Sequence, residues 1–381
     1  MTVKTSIPLI SDRFTHPSAF AAQAQAAAQS GVVDELLVWD QMTNFWPRQL
    51  WSPEESPMAK VLPDIDSYAD AFAVSAYVLA STPDLGVAIS TDAIRRGPAE
   101  MFQTMSTLQN MTNRTAMVMI GAGEAKQVTP FGWKRSEGIK RLEDQLKTFH
   151  ALWNATEPVT RDGNHWSLKD AWMGSARGTR PQVWVLGGGP KLLDLGTTYA
   201  DGMAAIVPCV FPTPEAFEVS VDALKTDLAE KGRDPADFHF GIWFMALVHE
   251  DQEIIQRALA SRFFRWMAGI YGRLEMPAWR TEGFEPPLPD DWHYATKLLP
   301  VKWSDGEVKE LLSKVTDEMA ARSFVYGTPA SVAAQVQPYV DAGATWVSVC
   351  DILPLALEPE DAQKGLARSL EICSRLKNAT A

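Results

Sequence analysis

The chain is poor in cysteine. Cys209, Cys350 and Cys373 lie far apart in 381 residues and form no CxxC pair. That spacing excludes a disulfide framework and argues against a structural zinc site, so a reduced, cytoplasmic setting is the expectation. Basic residues are in deficit too, with 35 Lys and Arg against 47 Asp and Glu, a formal net charge of −12. A nucleic-acid partner needs a basic face, so none is expected. No apolar run approaches the ~18–20 residues of a membrane-spanning helix. The opening residues, MTVKTSIPLISDR, lack the apolar centre of a signal peptide. The six histidines form neither HExxH nor HxH, so no metal site is expected. GxSxG and GxxxxGKS/T are also missing, which removes the usual signatures of a serine hydrolase and of nucleoside-triphosphate chemistry.

What is present is an ordinary globular composition, 46% hydrophobic and 22% charged, enough for a sizeable core. Short β-type runs alternate with helical patterns. Strands are expected at Ile7–Ile10, Glu35–Trp39, Leu85–Ile89, Thr115–Ile120, Val183–Leu186, Met203–Val207, Phe238–Val248 and Trp346–Cys350. Helical patterns separate nearly all of them, among them Ala99–Asn110 behind Pro98 and Lys191–Tyr199 behind Pro190. Strands spaced by helices imply parallel pairing, and eight such units point to an α/β fold of the closed (β/α)8 TIM-barrel type. An open doubly wound sheet is the alternative. Its GxGxxG turn is absent after the first strand, where Ile10 leads into SDRFTH. Residues 1–381 read as one domain, and the strandless stretch of about 250–325 reads as a lid-like insertion after strand seven.

Barrel enzymes carry their chemistry at the C-terminal ends of the strands, so the strand assignments also single out candidate residues. Asp40, Gln41, Asn44, Phe45 and Trp46 follow strand two. Ser90, Thr91, Asp92, Arg95 and Arg96 follow strand three, and Asp351 follows strand eight. Gly121, Ala122, Gly123 and Glu124 follow strand four, where glycines let a flat ligand approach a carboxylate. Glu124 serves equally well as a helix cap or as a partner for Arg135, and Asp40 as a turn residue. Gly187, Gly188 and Gly189 open a helix with Lys191 on its first turn. That arrangement suits an anion such as a phosphate, or simply a tight turn. The chain has 14 tryptophans, and Trp39, Phe45, Trp46 and Trp51 crowd one Pro-rich loop. These rings either wall an apolar pocket or pack the loop onto the barrel. Trp133, Trp243, His293 and Tyr294 are further pocket candidates.

Five segments together carry a resemblance: LVWDQ at 37–41, LGVAISTDAIRRGPA at 85–99, GAGEA at 121–125, GGP at 188–190 and GTPASVAAQVQPYVDAGATWVSV at 327–349. The chain resembles the bacterial luciferase-like family of flavin and deazaflavin oxidoreductases, and within it the coenzyme F420-dependent branch. TDAIRRGP and TPFGW, at 91–98 and 129–133, favour the ketoreductase side of that branch. The resemblance implies a deazaflavin over the barrel mouth, contacted by Asp40, Gly121, Gly123 and Glu124. A cis peptide at Ala88–Ile89 is implied behind the ring, and a phosphate tail on Gly187, Gly188 and Gly189. It implies hydride transfer to or from an apolar ketone, alcohol or enone, with Phe45, Trp46, Trp133 and Trp243 against the substrate. FMN-dependent monooxygenation and non-catalytic cofactor binding are the alternatives. A homodimer is the family's habit. Relatives usually carry His where Gln41 stands, and an amide is no acid at neutral pH. Glu124 is therefore the expected proton donor, with Asp40 and Gln41 beside it.

Overall fold

The computed structural model describes residues 2–380. Its strands are β1 Lys4–Pro8, β2 Glu35–Trp39, β3 Gly86–Asp92, β4 Ala116–Gly121, β5 Val159–Arg161, β6 Leu168–Ala171, β7 Gln182–Leu186, β8 Gly202–Val207, β9 His239–Val248, β10 Val325–Gly327 and β11 Trp346–Asp351. Eight of them pair in parallel around a ring, β1–β2–β3–β4–β7–β8–β9–β11. The pairing of β11 with β1 closes it, so the expected barrel is present and the open sheet is not. β10 adds to Ala246–Val248 of β9 on the side away from β11, beyond Phe244, where β8 has run out. β5 and β6 form a separate antiparallel hairpin.

Two strand expectations need correction. The first strand starts at Lys4 rather than Ile7 because Thr5 and Ser6, though polar, are fully buried in the ring. The hairpin carries no apolar alternation in VTR and LKDA, so no pattern announces it. Between β9 and β10 the chain is helical, with Gln252–Ala260, Arg262–Tyr271, Asp305–Lys314 and Asp317–Arg322 the longer pieces. The pattern at 251–270 reads as one helix but breaks at Ser261, whose hydroxyl accepts the Phe264 N–H at 3.3 Å and starts the second helix.

Side chains alternate along each strand between two apolar cores. Val38, Ile89, Val118 and Val185 face the surrounding helices. Leu37, Ala88, Met119 and Trp184 face the barrel interior. The implied cis bond at Ala88–Ile89 is not there. Among the described residues the cis peptide is Val207–Pro208. Val87, Ala88 and Ile89 pair residue by residue with β2 on one side and β4 on the other.

At the N-terminal end of the barrel Trp184 and Trp346 meet edge to face, with ring centroids 5.9 Å apart. A Cβ at Gly241 would stand 2.6 Å from the Trp184 ring, so only glycine fits there. Trp346 Nε1 donates to Glu35 Oε2 at 3.2 Å, and Lys4 Nζ lies 3.7 Å from Glu35 Oε1. Burial pushes the Glu35 carboxyl up to about 7, against the opposing pull of Lys4.

A carboxyl raised in the folded state binds its proton more tightly there than in the unfolded chain. Stability is therefore highest below the unfolded value of about 4.5 and falls as pH rises towards the folded value of about 7. At ~1.4 kcal/mol per pKa unit the loss is about 3 kcal/mol. Glu35→Gln keeps an acceptor for Trp346 and removes the ionisation. Urea unfolding should then find the variant more stable than the parent at pH 8 by about 3 kcal/mol, and nearly equal to it at pH 4. A difference that does not change with pH would refute this account of Glu35.

Candidate active site

The C-terminal ends of the strands surround a cavity of about 480 Å³. Asp40 and Gln41 enter it after β2, Ser90, Thr91 and Asp92 from the end of β3, Gly121–Glu124 after β4, and Gly187–Leu192 after β7. Trp243 and Met245 of β9 and Cys350 of β11 form its base. Phe45 and Trp46 from the aromatic loop, and Tyr271, Leu274, His293 and Tyr294 from the segment between β9 and β10, close the outer side.

Asp40 is anchored rather than free. Its Oδ2 accepts the Thr91 hydroxyl at 2.7 Å and lies 3.2 Å from Arg95 Nη2 and 3.6 Å from Arg96 Nε. Arg95 also grips Asp92 and the Asp40 carbonyl, so one guanidinium ties the ends of β2 and β3 together. Gln41 stands beside it, and its buried Oε1 has no hydrogen-bond partner among the described residues.

Glu124 occupies the N-cap position of the short helix Ala125–Val128 but makes no capping bond. Its ion pair is with Lys126, at 3.0 Å, rather than with Arg135. Lys126 is only 1% exposed, donates to the Thr43 carbonyl at 2.9 Å, and lies 3.9 Å from the centre of the Phe45 ring. Burial depresses its pKa, and Glu124 opposes that fall. Gly123 turns at φ +90°, a backbone conformation that favours glycine, and a Cβ there would crowd the Ile94 side chain at 2.8 Å.

The glycine turn after β7 leads into the ten-residue helix Pro190–Tyr199, with Gly189 as its N-cap. A Cβ at Gly188 would meet Val210 at 2.4 Å, whereas at Gly189 it would meet no atom within 4 Å. The helix N-terminus thus faces open space at the cavity wall.

The outer wall is aromatic and locked to the barrel. Trp46 stacks on Phe263 at 4.3 Å and donates to its carbonyl at 2.9 Å, while Trp266 Nε1 donates to the Phe45 carbonyl at 2.9 Å. Tyr271 and Tyr294 meet edge to face at 4.4 Å. Burial raises the pKa of both phenols, and likewise that of Tyr68, whose hydroxyl accepts from Asn44 Nδ2 at 2.7 Å. Burial lowers the pKa of His293, whose Nδ1 accepts the Ala295 N–H at 3.2 Å. That bond leaves Nε2 as the protonated nitrogen of the neutral ring.

Most of the sequence-predicted residues meet here: Asp40, Gln41, Phe45, Trp46, Gly121, Gly123, Glu124, the Gly187–Gly189 turn, Trp243, His293 and Tyr294. Three do not. Trp133 lies at the surface, 36% exposed, because the chain turns outward at Gly132 with φ +93°. Ala88 sits deeper in the barrel and Ile89 faces the helices. Asp351 also points away, its Oδ1 accepting from Val248 and Leu353. Tyr68, Lys126 and Tyr271 escaped the sequence reading. For Lys126 a signal existed, a lysine two residues past Glu124 in the same glycine-rich turn.

Comparison with known proteins agrees with this architecture. The chain is 29% identical over 341 residues to the phthiodiolone/phenolphthiodiolone dimycocerosates ketoreductase of Mycobacterium kansasii, covering 87% of this chain and 91% of that protein. It is 26% identical over 269 residues to an F420-dependent glucose-6-phosphate dehydrogenase of Kineococcus radiotolerans, covering 70% of this chain and 71% of that one. An F420-dependent secondary alcohol dehydrogenase, solved with an F420–acetone adduct, superposes with a TM-score of 0.74 at 19% identity over 99% of both chains, a likeness of fold. No helix among the described residues is long and apolar enough to cross a membrane. Residues 45–345 match the family model for luciferase-like monooxygenases, and the chain belongs to that family of oxidoreductases.

Proposed function

We propose that the protein is a coenzyme F420-dependent oxidoreductase that moves a hydride between the deazaflavin and an apolar ketone, alcohol or enone, working as a reductase. The observation that carries this reading is the gathering of Asp40, Gln41, Glu124 and the Gly187–Gly189 turn around one largely apolar cavity. The relatives named as a ketoreductase and as an F420-dependent dehydrogenase support it.

The residues present fit such a group. The unpartnered Gln41 Oε1 is a buried acceptor awaiting a donor. The open space at Gly189, at the N-terminus of a ten-residue helix, has room for a phosphate, and exposed Lys191 adds charge on the first turn. When bound, the deazaflavin supplies the hydride in a two-electron step. The chain does the rest. Asp40 and Gln41 position ligands at the end of β2, and Glu124 gives the substrate oxygen its proton. Phe45, Trp46, Trp243 and the two tyrosines keep water out, with the segment between β9 and β10 acting as a lid.

Titration with F420 and with FMN, followed by tryptophan quenching, tests the cofactor. F420 should bind about tenfold or more tighter than FMN, ~1.4 kcal/mol. Tight FMN binding without deazaflavin binding would overturn the reading. Stoichiometric F420 binding with no turnover across a broad carbonyl panel would instead make the protein a carrier. Gly189→Val fills the open space, and its Cβ meets no protein atom within 4 Å. It should weaken F420 binding roughly tenfold with little change in Tm, and unchanged affinity would move the phosphate elsewhere. Glu124→Gln should cut turnover by about 100-fold or more while F420 affinity stays put, the usual size of a lost general acid. Parental turnover would retire Glu124 as the donor.

A further inference from the structure

We infer that Lys126 stores the proton that Glu124 delivers, so that the acid of the site is the Lys126–Glu124 pair rather than Glu124 alone. This rests on the reductase reading above and names where its proton comes from.

The argument is one of exits. An ammonium has three N–H bonds to place. Those of Lys126 meet Glu124 Oε2 at 3.0 Å, the Thr43 carbonyl at 2.9 Å and the face of Phe45 at 3.9 Å. A backbone carbonyl and a phenyl ring accept a hydrogen bond but cannot take a proton and pass it on. Glu124 can. It faces the cavity with a quarter of its side chain exposed, while Lys126 is sealed behind it at 1%. The buried lysine therefore communicates with the cavity through one carboxylate.

Burial also makes the lysine willing to lose its proton. Desolvation lowers its pKa and nearby Arg95 lowers it further, while Glu124 and Asp66 oppose the fall. Around Glu124 the other charged or titratable groups are Arg95, Arg135, Tyr68, Tyr271, His293 and Tyr294. The three phenols have raised pKa values and hold their protons. His293, with its pKa lowered, is neutral across the alkaline range. Asp40 is taken up by Thr91, Arg95 and Arg96. Activity is then expected to fall at alkaline pH as the pair loses its proton.

The step balances. When bound, the reduced deazaflavin would supply the hydride that turns a substrate carbonyl into an alkoxide. The alkoxide oxygen gains an O–H bond as the carboxyl O–H of Glu124 breaks. Glu124 has taken that proton from Lys126, which is left as a neutral amine and recovers a proton once the product leaves. A purely structural lysine would instead pin Thr43 and Phe45 beside the Ala125–Val128 helix and do nothing more.

Lys126→Arg separates the two roles. It keeps the charge and the hydrogen-bond donors but does not release a proton at accessible pH. If the pair is the acid, Lys126→Arg binds F420 like the parent yet turns over cyclohexanone with reduced F420 about 100-fold or more slowly, and its alkaline limb disappears. Parental turnover in this variant overturns the inference. A second readout uses the full chain without cofactor, labelled at lysine 13Cε, with the Lys126 signal assigned by its loss in Lys126→Arg. Its titration midpoint should lie below the ordinary lysine range and fall further in Glu124→Gln, where the opposing carboxylate is gone. An ordinary midpoint, or one indifferent to Glu124→Gln, also overturns it. Failure to bind F420 would retire the proposed function, whereas the lysine titration still decides the pair.

Discussion

Two buried cations hold the mouth of this barrel together. Arg95, with 8% of its side chain exposed, joins the ends of β2 and β3 through Asp40 and Asp92. Lys126, at 1%, joins the turn after β4 to the loop after β2 through Glu124 and Thr43. Removing one partner from such a pair leaves an uncompensated buried charge, at a typical cost of about 3–5 kcal/mol. The carboxylates at the rim are therefore fixed in place before any ligand arrives. Preorganised charge of this kind is what a dry site uses to act on a reacting centre without first rearranging solvent.

Much of the frame was legible because barrel strands write their burial into sequence. ELLVW, AMVMIG and QVWVL are near-continuous apolar runs, as strands buried on both faces must be. The glycine turns at Gly123 and Gly188 were legible for a related reason, since neighbouring atoms leave no room for a Cβ there. The rule that barrel sites sit at strand ends also points to Asp40, Gln41 and Glu124, which line the cavity.

What escaped is non-local. Lys126 reads as a surface lysine until Phe45 and Thr43, some 80 positions away, fold over it. Tyr271 looks like one more apolar residue of its helix, yet it lines the cavity against Tyr294, 23 positions away in sequence. Trp133 misled in the opposite sense. An aromatic residue close to Glu124 in sequence reads as a wall, but one left-handed glycine at 132 sends it to the surface. The cis bond at Ala88–Ile89 came from resemblance alone, and the cis peptide among the described residues is Val207–Pro208 instead.

The cavity that results mixes charge with aromatic rings. Asp40, Arg95, Glu124 and Arg135 line it, and so do Phe45, Trp46, Tyr271 and Tyr294, with the phenols kept neutral by burial. The two kinds interlock: Arg135 Nε donates to the Ala295 carbonyl, and Lys126, paired with Glu124, lies against the Phe45 ring. Gln41 adds an amide to the same lining. It offers orientation without a proton, since an amide donates and accepts hydrogen bonds but does not titrate. Under the proposed reductase function, a site with an amide at the end of β2 takes its acid from elsewhere on the same rim. The next strand ends facing the cavity are those of β3 and β4. Asp92 and Arg95 after β3 are tied into one network with Asp40, so the proposal places the acid in the turn after β4.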